Sequence, residues 1–334
     1  MRWSIVGAGG IARRRTIPGL VKDAGSTLCA VMDVSAEAAK AVGEEFGVPS
    51  FTDMGEMLRA VPCDAVYIAT TVPFHKEQVQ TALAAGCHVL VEKPITIGSK
   101  EGQELVDAFE KAGKQLTVGY MMKHHSLHRR MKAILRDGGI GQVNSVHMHF
   151  SCWYPDIEGA WRQQKAFGGG AVMDLGVHCL ELMEWLLDDT IVEVRSFCDT
   201  QTFRYEVEDS AVMIVRTQKG VLGTVRVHFN VPDAASLSVV DIYGTDGCLN
   251  AKGTLSQEDV GTLSHVYAPQ GAYEAQQTRG QTQTVTEYDA DGNNLYTEQV
   301  AAFRQEVESG SPTYEGATRA AHIQALVESI YKQH

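Results

Sequence analysis

The sequence predicts an α/β protein in two parts, a doubly wound parallel sheet over residues 1–120 and an α+β domain with a large, mainly antiparallel open sheet over 121–334. Three observations carry this reading. Short apolar runs alternate with helical patterns from residue 2 to residue 119, a succession that builds a parallel sheet with right-handed crossovers. The first run opens into a glycine-rich turn at the head of a helical pattern. From about residue 143 the rhythm changes to strands that alternate polar and apolar residues, joined by tight turns, as in an antiparallel sheet covered on one face.

Arg2–Val6 reads as the first strand and leads into Gly7-Ala8-Gly9-Gly10-Ile11-Ala12, the G-x-G-x-x-A form of the dinucleotide fingerprint. Gly7 serves the tight turn, Gly9 the close approach of a pyrophosphate, and the small Ala12 the packing of helix on strand, so that the helix N-terminus faces the phosphates. The second strand, 26–32, ends at Asp33, about twenty residues beyond Ala12, where a carboxylate holds the adenosine ribose hydroxyls in Rossmann domains. A carboxylate there repels a 2′-phosphate, which favours NAD over NADP. Arg13, Arg14 and Arg15 open the first helix and have the charge to reach such a phosphate, but are read as mainly solvated.

Ser35 is placed to cap a helix through about residue 46, and Asp53 a second, short one. A buried strand follows over 65–69, then a helix over 75–85 stopped by Gly86. The next strand runs from His88 to Glu92, a helix spans 99–112 up to Gly113, and the strand 116–119 closes the sheet. The fourth of these strands carries the most telling residue. A parallel strand covered on both faces should be apolar throughout, so Glu92-Lys93 at its carboxyl end marks the edge where open α/β sheets bind ligands. Pro94 disfavours the α region for Lys93 and keeps it extended.

In the second part, strands are expected over 143–150, 191–197, 210–217, 221–229 and 236–243, with turns at 218–220 and 245–247. The polar stretch 276–286 reads as a surface loop or weak strand, and two helices close the chain over 296–309 and 316–332, the last of which can pack back on the first domain. A second dense cluster lies at 168–178: a triple glycine, then Asp174 and His178 at i and i+4, on one helix face. A carboxylate one turn from an imidazole can orient the ring, and histidine titrates near neutrality, as a general base should.

Bulk properties narrow the partners. A formal net charge of −12 argues against nucleic acid and anionic membranes, both of which reward basic patches. No apolar run reaches the length of a membrane span, and a first strand at Arg2 leaves no room for a signal peptide, so a cytoplasmic protein is expected. Seven scattered cysteines without a C-x-x-C pair suit reduced thiols, not a disulfide framework or a zinc site.

The fingerprint, Glu92-Lys93-Pro94, the run 118–120, Trp161-Arg162, the cluster Gly168-Gly169-Gly170…Asp174-x-Gly176-x-His178, Glu208-Asp209 and the tail Phe303…Gly310 together resemble the Gfo/Idh/MocA oxidoreductases, from Ser4 to about Tyr331. The resemblance implies a substrate pocket on one side of the open sheet and a homodimer or homotetramer interface on the other. It implies that Lys93, Asp174 and His178 are catalytic and that the Lys93–Pro94 bond is cis. Cofactor contacts would come from Gly7, Gly9, Gly10, Ile11, Asp33, Thr70, Thr71, His75, Glu92 and Lys93. Substrate contacts would come from Lys93, Tyr120, Lys123, Tyr154, Trp161, Arg162, Asp174 and His178, with no metal. The chain departs from the family at Thr70-Thr71-Val72-Pro73-Phe74-His75, where relatives read Thr-Pro-Asn-x-x-His, and at Tyr120-Met121-Met122-Lys123-His124-His125, where they read Tyr-Asn-x-Arg-Phe. His124 and His128 are spaced to share a helix face and, with His125, invite a metal. No carboxylate or cysteine stands at matching spacing, so they are read as pocket-lining or surface residues.

The expected activity is an NAD(H)-dependent dehydrogenase acting on a secondary alcohol of a sugar, glycoside or cyclitol, with His178 as base and Lys93 stabilising the developing oxyanion. One alternative keeps the NAD but cleaves a glycoside by transient oxidation and elimination. Another, a non-catalytic NAD-binding sensor, sits poorly with an intact Lys93, Asp174 and His178 set. Cofactor stoichiometry separates the three.

Overall fold

The computed structural model describes residues 1–269, 271 and 283–334, which fall into two compact units. The first contains residues 1–121, 166–168 and 294–328. Its elements are β1 (Arg2–Val6), α1 (Ile17–Lys22), β2 (Thr27–Met32), α2 (Ala36–Phe46), β3 (Ser50–Phe51), α3 (Met54–Ala60), β4 (Ala65–Ile68), α4 (His75–Ala84), β5 (His88–Val91), α5 (Ser99–Ala112) and β6 (Leu116–Val118). The strands form one parallel sheet in the order β3-β2-β1-β4-β5-β6, the doubly wound Rossmann order. Helix ends follow the sequence signals. Ser35 Oγ accepts from Ala38 N at 3.2 Å and Asp53 Oδ1 from Glu56 N at 2.7 Å, each satisfying an amide that its helix leaves without a partner. Gly113 ends α5 in the left-handed region (φ +62°), which costs glycine nothing. β4 is buried along its whole length, as a strand covered on both faces must be.

The second unit contains residues 122–165, 169–293 and 329–334. Its elements are α6 (Ser126–Arg136), β7 (Val143–Ser151), α7 (Val177–Leu187), β8 (Ile191–Asp199), β9 (Ser210–Thr217), β10 (Leu222–His228), β11 (Val239–Gly244), β12 (Gly247–Lys252), β13 (Thr262–Tyr267) and β14 (Thr284–Asp289). They make an eight-stranded sheet in the order β14-β13-β12-β11-β7-β10-β9-β8, antiparallel except at the central pair β7–β10. Val146, Met148, Met213, Val225, Val240, Ile242 and Leu249 line its buried face. The other face leaves Val212, Ile214, Leu222 and Phe197 exposed, the last at 83%. β12 and β13 escape a sequence reading because only Leu249 and Ala251, and Leu263, supply fully buried apolar side chains to these two strands. Residues 276–282 of the Gln/Thr-rich stretch lie outside the described residues, while 284–289 is the edge strand β14.

Two helices end the chain, α8 (Leu295–Glu308) and α9 (Glu315–Tyr331). By its contacts the segment 294–328 belongs to the first unit. Val300 and Phe303 join the core around Trp3, whose ring centroid lies 5.0 Å from that of Phe303. Arg304 Nε donates to Asp23 at 2.9 Å, and Thr297 Oγ1 to Gly19 O at 2.9 Å. Among the described residues, no helix is long and apolar enough to cross a membrane.

Candidate active site

The glycine turn follows directly from β1. Gly7 has φ +93°, and a Cβ there would lie 2.8 Å from the carbonyl carbon of Ala69, so this position excludes a side chain twice over. Gly9 is different: it is exposed, and nothing lies within 4 Å of where its Cβ would be. An open backbone at the head of a helix, beside the ends of β1 and β2, fits a pyrophosphate. The following helix begins with a π turn, Ala12–Thr16, before α1. Asp33 does more than the sequence suggests, since its carboxylate accepts from Ala8 N at 2.8 Å and from Ser35 N at 2.9 Å and so braces the turn. Of the three arginines, Arg13 pairs with Glu45 (2.7 Å) and Arg14 folds back to donate to Gly10 O (3.1 Å).

The carboxyl ends of β4 and β5 supply the neighbouring residues. Thr70 Oγ1 donates to Gln78 Oε1 at 2.5 Å, and Thr71 precedes a 3₁₀ turn over Val72–Phe74. His75 is fully buried: its Nδ1 is 2.9 Å from Pro94 O and its Nε2 3.1 Å from Thr70 O. Burial pushes the imidazole pKa down, and the neutral ring carries one N–H to share between two carbonyls. His75 therefore ties the strand-end loop to the turn that carries Lys93, and its ring is spent on backbone. The Lys93–Pro94 bond is cis. Beside it, the Tyr67 hydroxyl donates to Glu92 Oε1, and Thr16 Oγ1 donates to Tyr67 Oη at 2.8 Å, a buried chain from the cofactor helix to the strand end. Burial, then the Glu92 charge, raises the Tyr67 pKa. Tyr120 is buried just beyond β6.

In the second unit the triple glycine has a steric reason. A Cβ on Gly169 would lie 2.4 Å from Arg162 O, and one on Gly170 (φ +114°) 2.4 Å from Glu208 Oε1. The chain then makes a π turn, Val172–Gly176, and α7 starts only at Val177. Asp174 lies within this π turn and His178 in the first turn of α7, a local form frequent at functional sites. His178 is 5% exposed. Asp174 accepts from Arg162 Nε at 2.8 Å, a pairing the sequence does not announce. Burial works against the Arg162 charge, but the Asp174 carboxylate holds its pKa above the ordinary value. The guanidinium lies over two rings, 4.3 Å from the Trp161 centroid and 5.7 Å from that of Tyr154.

Further aromatics extend this wall. Trp153 meets Phe203 edge to face at 5.2 Å, and Phe203 stacks on Tyr205 at 5.2 Å. The loop that carries Phe203 and Tyr205 is held by Asp209, fully buried, which accepts from the amides of Gln201, Thr202 and Phe203 at 3.0, 2.8 and 3.0 Å. Neither ring was legible as a site residue, because the 200–209 loop has no period. Lys123 and His124 are half-buried, next to the buried Met122.

The shared helix face expected for His124 and His128 is not formed. His124 ends a 3₁₀ turn (Met121–His124), and His125 is extended (ψ 132°) ahead of α6. His125 caps α6, accepting from Leu127 N at 3.1 Å, and its Nε2 is 3.0 Å from Val260 O. His128 lies buried, 2.8 Å from Met122 O and 3.0 Å from Thr254 Oγ1. These two rings serve structure, and among the described residues no three His, Cys, Asp or Glu side chains gather to hold a metal.

Glu208 is the other residue whose role appears only in three dimensions. Its Oε1 accepts from Val172 N at 2.8 Å and from Tyr331 Oη at 3.0 Å, anchoring the head of the turn that carries Asp174. Burial pushes its carboxyl up to about 7, with Asp209 adding to the rise and the Val172 amide and Tyr331 hydroxyl opposing it; the Cys198 thiol faces the same carboxyl. A folded pKa above the ordinary 4.5 contributes stability that is complete below pH 4.5 and lost as pH rises through 7, about 3 kcal/mol in all. Glu208→Gln keeps the acceptor and removes the titration. Thermal melts from pH 4.5 to 8 should show a fall in the wild type that this variant flattens, and parallel curves would exclude Glu208 as its source.

Fold and site together define an oxidoreductase built on a dinucleotide-binding unit. Residues 1–120 match the model of the oxidoreductase family with an NAD-binding Rossmann fold, and residues 128–250 match the GFO/IDH/MocA C-terminal domain. The chain belongs to the GFO/IDH/MocA family. It is 30% identical to 1,5-anhydro-D-fructose reductase from Ensifer adhaerens, over 94% of this chain and 91% of that protein. It is 29% identical to inositol 2-dehydrogenase 3 from Saccharopolyspora erythraea, over 62% of this chain and 60% of that one. A 3-ketoreductase from Actinomadura kijaniata, solved in complex with NADP and TDP-benzene, shares the fold with a TM-score of 0.83 at 23% identity, covering 99% of this chain and 97% of that one.

Proposed function

We propose that the protein is a cytoplasmic dehydrogenase that moves hydride between a secondary alcohol of a sugar, glycoside or cyclitol and NAD. The observation that carries this reading is the position of Lys93, one residue beyond Glu92 at the carboxyl edge of the sheet whose β1 and β2 ends bear the Gly7–Gly10 turn and Asp33. The nicotinamide, when bound, supplies the hydride acceptor. His178 takes the hydroxyl proton, and the Lys93 ammonium donates to the same oxygen as negative charge develops on it. Asp174, with Arg162 as counter-ion, orients the imidazole. The Trp161 and Tyr154 rings offer apolar planes to a sugar, and Tyr120 and Lys123 add polar contacts. The names of the relatives, a sugar reductase and an inositol dehydrogenase, support the substrate class. The test is NADH formation across cyclitols, hexoses, aldonates and glycosides, with product release from glycosides followed at catalytic NAD; turnover at catalytic NAD alone would replace the dehydrogenase by oxidation and elimination.

Cofactor choice rests on Asp33. NAD should bind more tightly than NADP, and Asp33→Ser should narrow the gap. Titration calorimetry with both cofactors decides it, and equal or inverted affinities in the wild type would sink the assignment.

A homo-oligomer through the open face of the second sheet completes the reading. Phe197, Val212, Ile214 and Leu222 share β8–β10 with Arg216 and Arg226, an apolar patch with a polar border. Ile214→Lys should lower the mass seen by light scattering to that of a monomer, and an unchanged mass would move the interface elsewhere.

A further inference from the structure

The amino ends of β4 and β5 lie opposite the edge that carries Thr70 and Lys93. Ala65 and His88 are in register there, so Cys63 and Cys87 stand side by side just before the two strands, with Sγ atoms 3.8 Å apart. Their settings differ. Cys63 is half-buried in the stretch between α3 and β4, outside both elements. Cys87 is only 3% exposed and follows Gly86 (φ +79°) at a tight turn.

We propose that Cys63 and Cys87 are a reversible oxidation site, in which a hydroperoxide converts the two thiols to a disulfide and a thiol reductant restores them. A nucleophilic thiolate needs access and a stabilising donor, and its resolving partner needs proximity and protection from direct attack. Cys63 has the first pair of properties and Cys87 the second. The contact between the sulfurs can supply that donor: with the Cys87 thiol donating, the Cys63 pKa is drawn down against its own burial and that of Cys87 is pushed up. In the first step Cys63 sulfur attacks a peroxide oxygen. An S–O bond forms, the O–O bond breaks, and the departing oxygen leaves as water or alcohol after taking a proton. In the second, Cys87 sulfur attacks the Cys63 sulfenic acid, the S–S bond forms, and the S–O bond breaks as hydroxide leaves with the Cys87 proton as water. Two thiols lose two electrons and two protons, and the peroxide accepts both.

Closure needs the sulfurs to approach from 3.8 Å to about 2 Å, a shift that falls to Pro62 and Cys63, since Val61 and Asp64 are held by backbone bonds to Met57, Arg2 and His88. The bridge would link two neighbouring strands at the edge away from the cofactor turn, so the oxidation stands independently of any hydride chemistry. The expected readout is a rise in melting temperature on oxidation, as a cross-link constrains the unfolded chain.

The experiment treats the full-length reduced protein with hydrogen peroxide near pH 7, blocks remaining thiols and maps the peptides by mass spectrometry. The peptides containing Cys63 and Cys87 should appear linked before any of the other five cysteines of the chain is oxidised, and dithiothreitol should separate them. Cys87→Ser should leave Cys63 as a sulfenic acid that dimedone traps, while Cys63→Ser should leave Cys87 reduced. The proposal is overturned if the linked peptides form only in urea, if both residues remain alkylatable when other cysteines have reacted, or if Cys87→Ser gives no dimedone adduct at Cys63.

Discussion

Lys93→Ala and His178→Ala should each lower turnover by about two orders of magnitude or more while leaving NAD affinity nearly unchanged. The argument is one of division of labour. Removing the base forces the hydroxyl proton to leave to water, and removing the ammonium leaves the oxyanion without its charged donor, so both losses fall on the transition state and not on the bound cofactor. Asp174→Asn has an intermediate expectation, because the change also strips Arg162 of its counter-charge. The uncompensated guanidinium disfavours the imidazolium, so the acidic limb of the pH–rate profile should move to lower pH. The three variants are compared by NADH formation on the substrate found in the screen, with cofactor affinity measured separately. Near-normal turnover in His178→Ala would remove it as the base and leave Lys93 or Tyr120 as the next candidate.

Much of the first unit was legible because its signals are local. Ser35, Asp53, Gly86 and Gly113 mark ends that the chain obeys, and α5 spans the same residues in sequence and structure. The Lys93–Pro94 turn could be located from the charge that interrupts an apolar strand. What could not be read depends on pairings remote in sequence. Arg162 with Asp174, Glu208 with Val172 and Tyr331, and Asp209 with the 201–203 amides join residues whose spacing has no period. The π turns at 12–16 and 172–176 were also hidden, since over so few residues the sequence does not separate a π turn from ordinary helix. The parallel pair β7–β10 escaped for a related reason: hairpin spacing predicts antiparallel neighbours and says nothing of strands that meet after a long excursion. His124 and His128 illustrate the reverse error, a spacing that suggests one helix face where the extended His125 separates a 3₁₀ turn from α6.

Gly7 and Gly9 should respond to alanine differently in the cofactor-free protein, although one motif contains both. At Gly7 the fault lies in the fold itself: φ +93° disfavours any side chain, and a Cβ would lie 2.8 Å from Ala69 C and 2.9 Å from Thr70 N, backbone atoms that cannot rotate away. Gly7→Ala should therefore lower the melting temperature of the cofactor-free protein and weaken NAD binding, as the turn is pushed off β4. At Gly9 the protein itself offers no obstacle, with nothing within 4 Å of the new methyl group. Gly9→Ala should melt like the wild type, yet lose NAD affinity by on the order of tenfold to a hundredfold, the cost of crowding a methyl group against the pyrophosphate. Melting curves without cofactor and calorimetric titration with NAD separate the two effects. Wild-type NAD affinity in Gly9→Ala would mean that the pyrophosphate does not approach this turn, and the dinucleotide site would then have to be sought elsewhere in the unit.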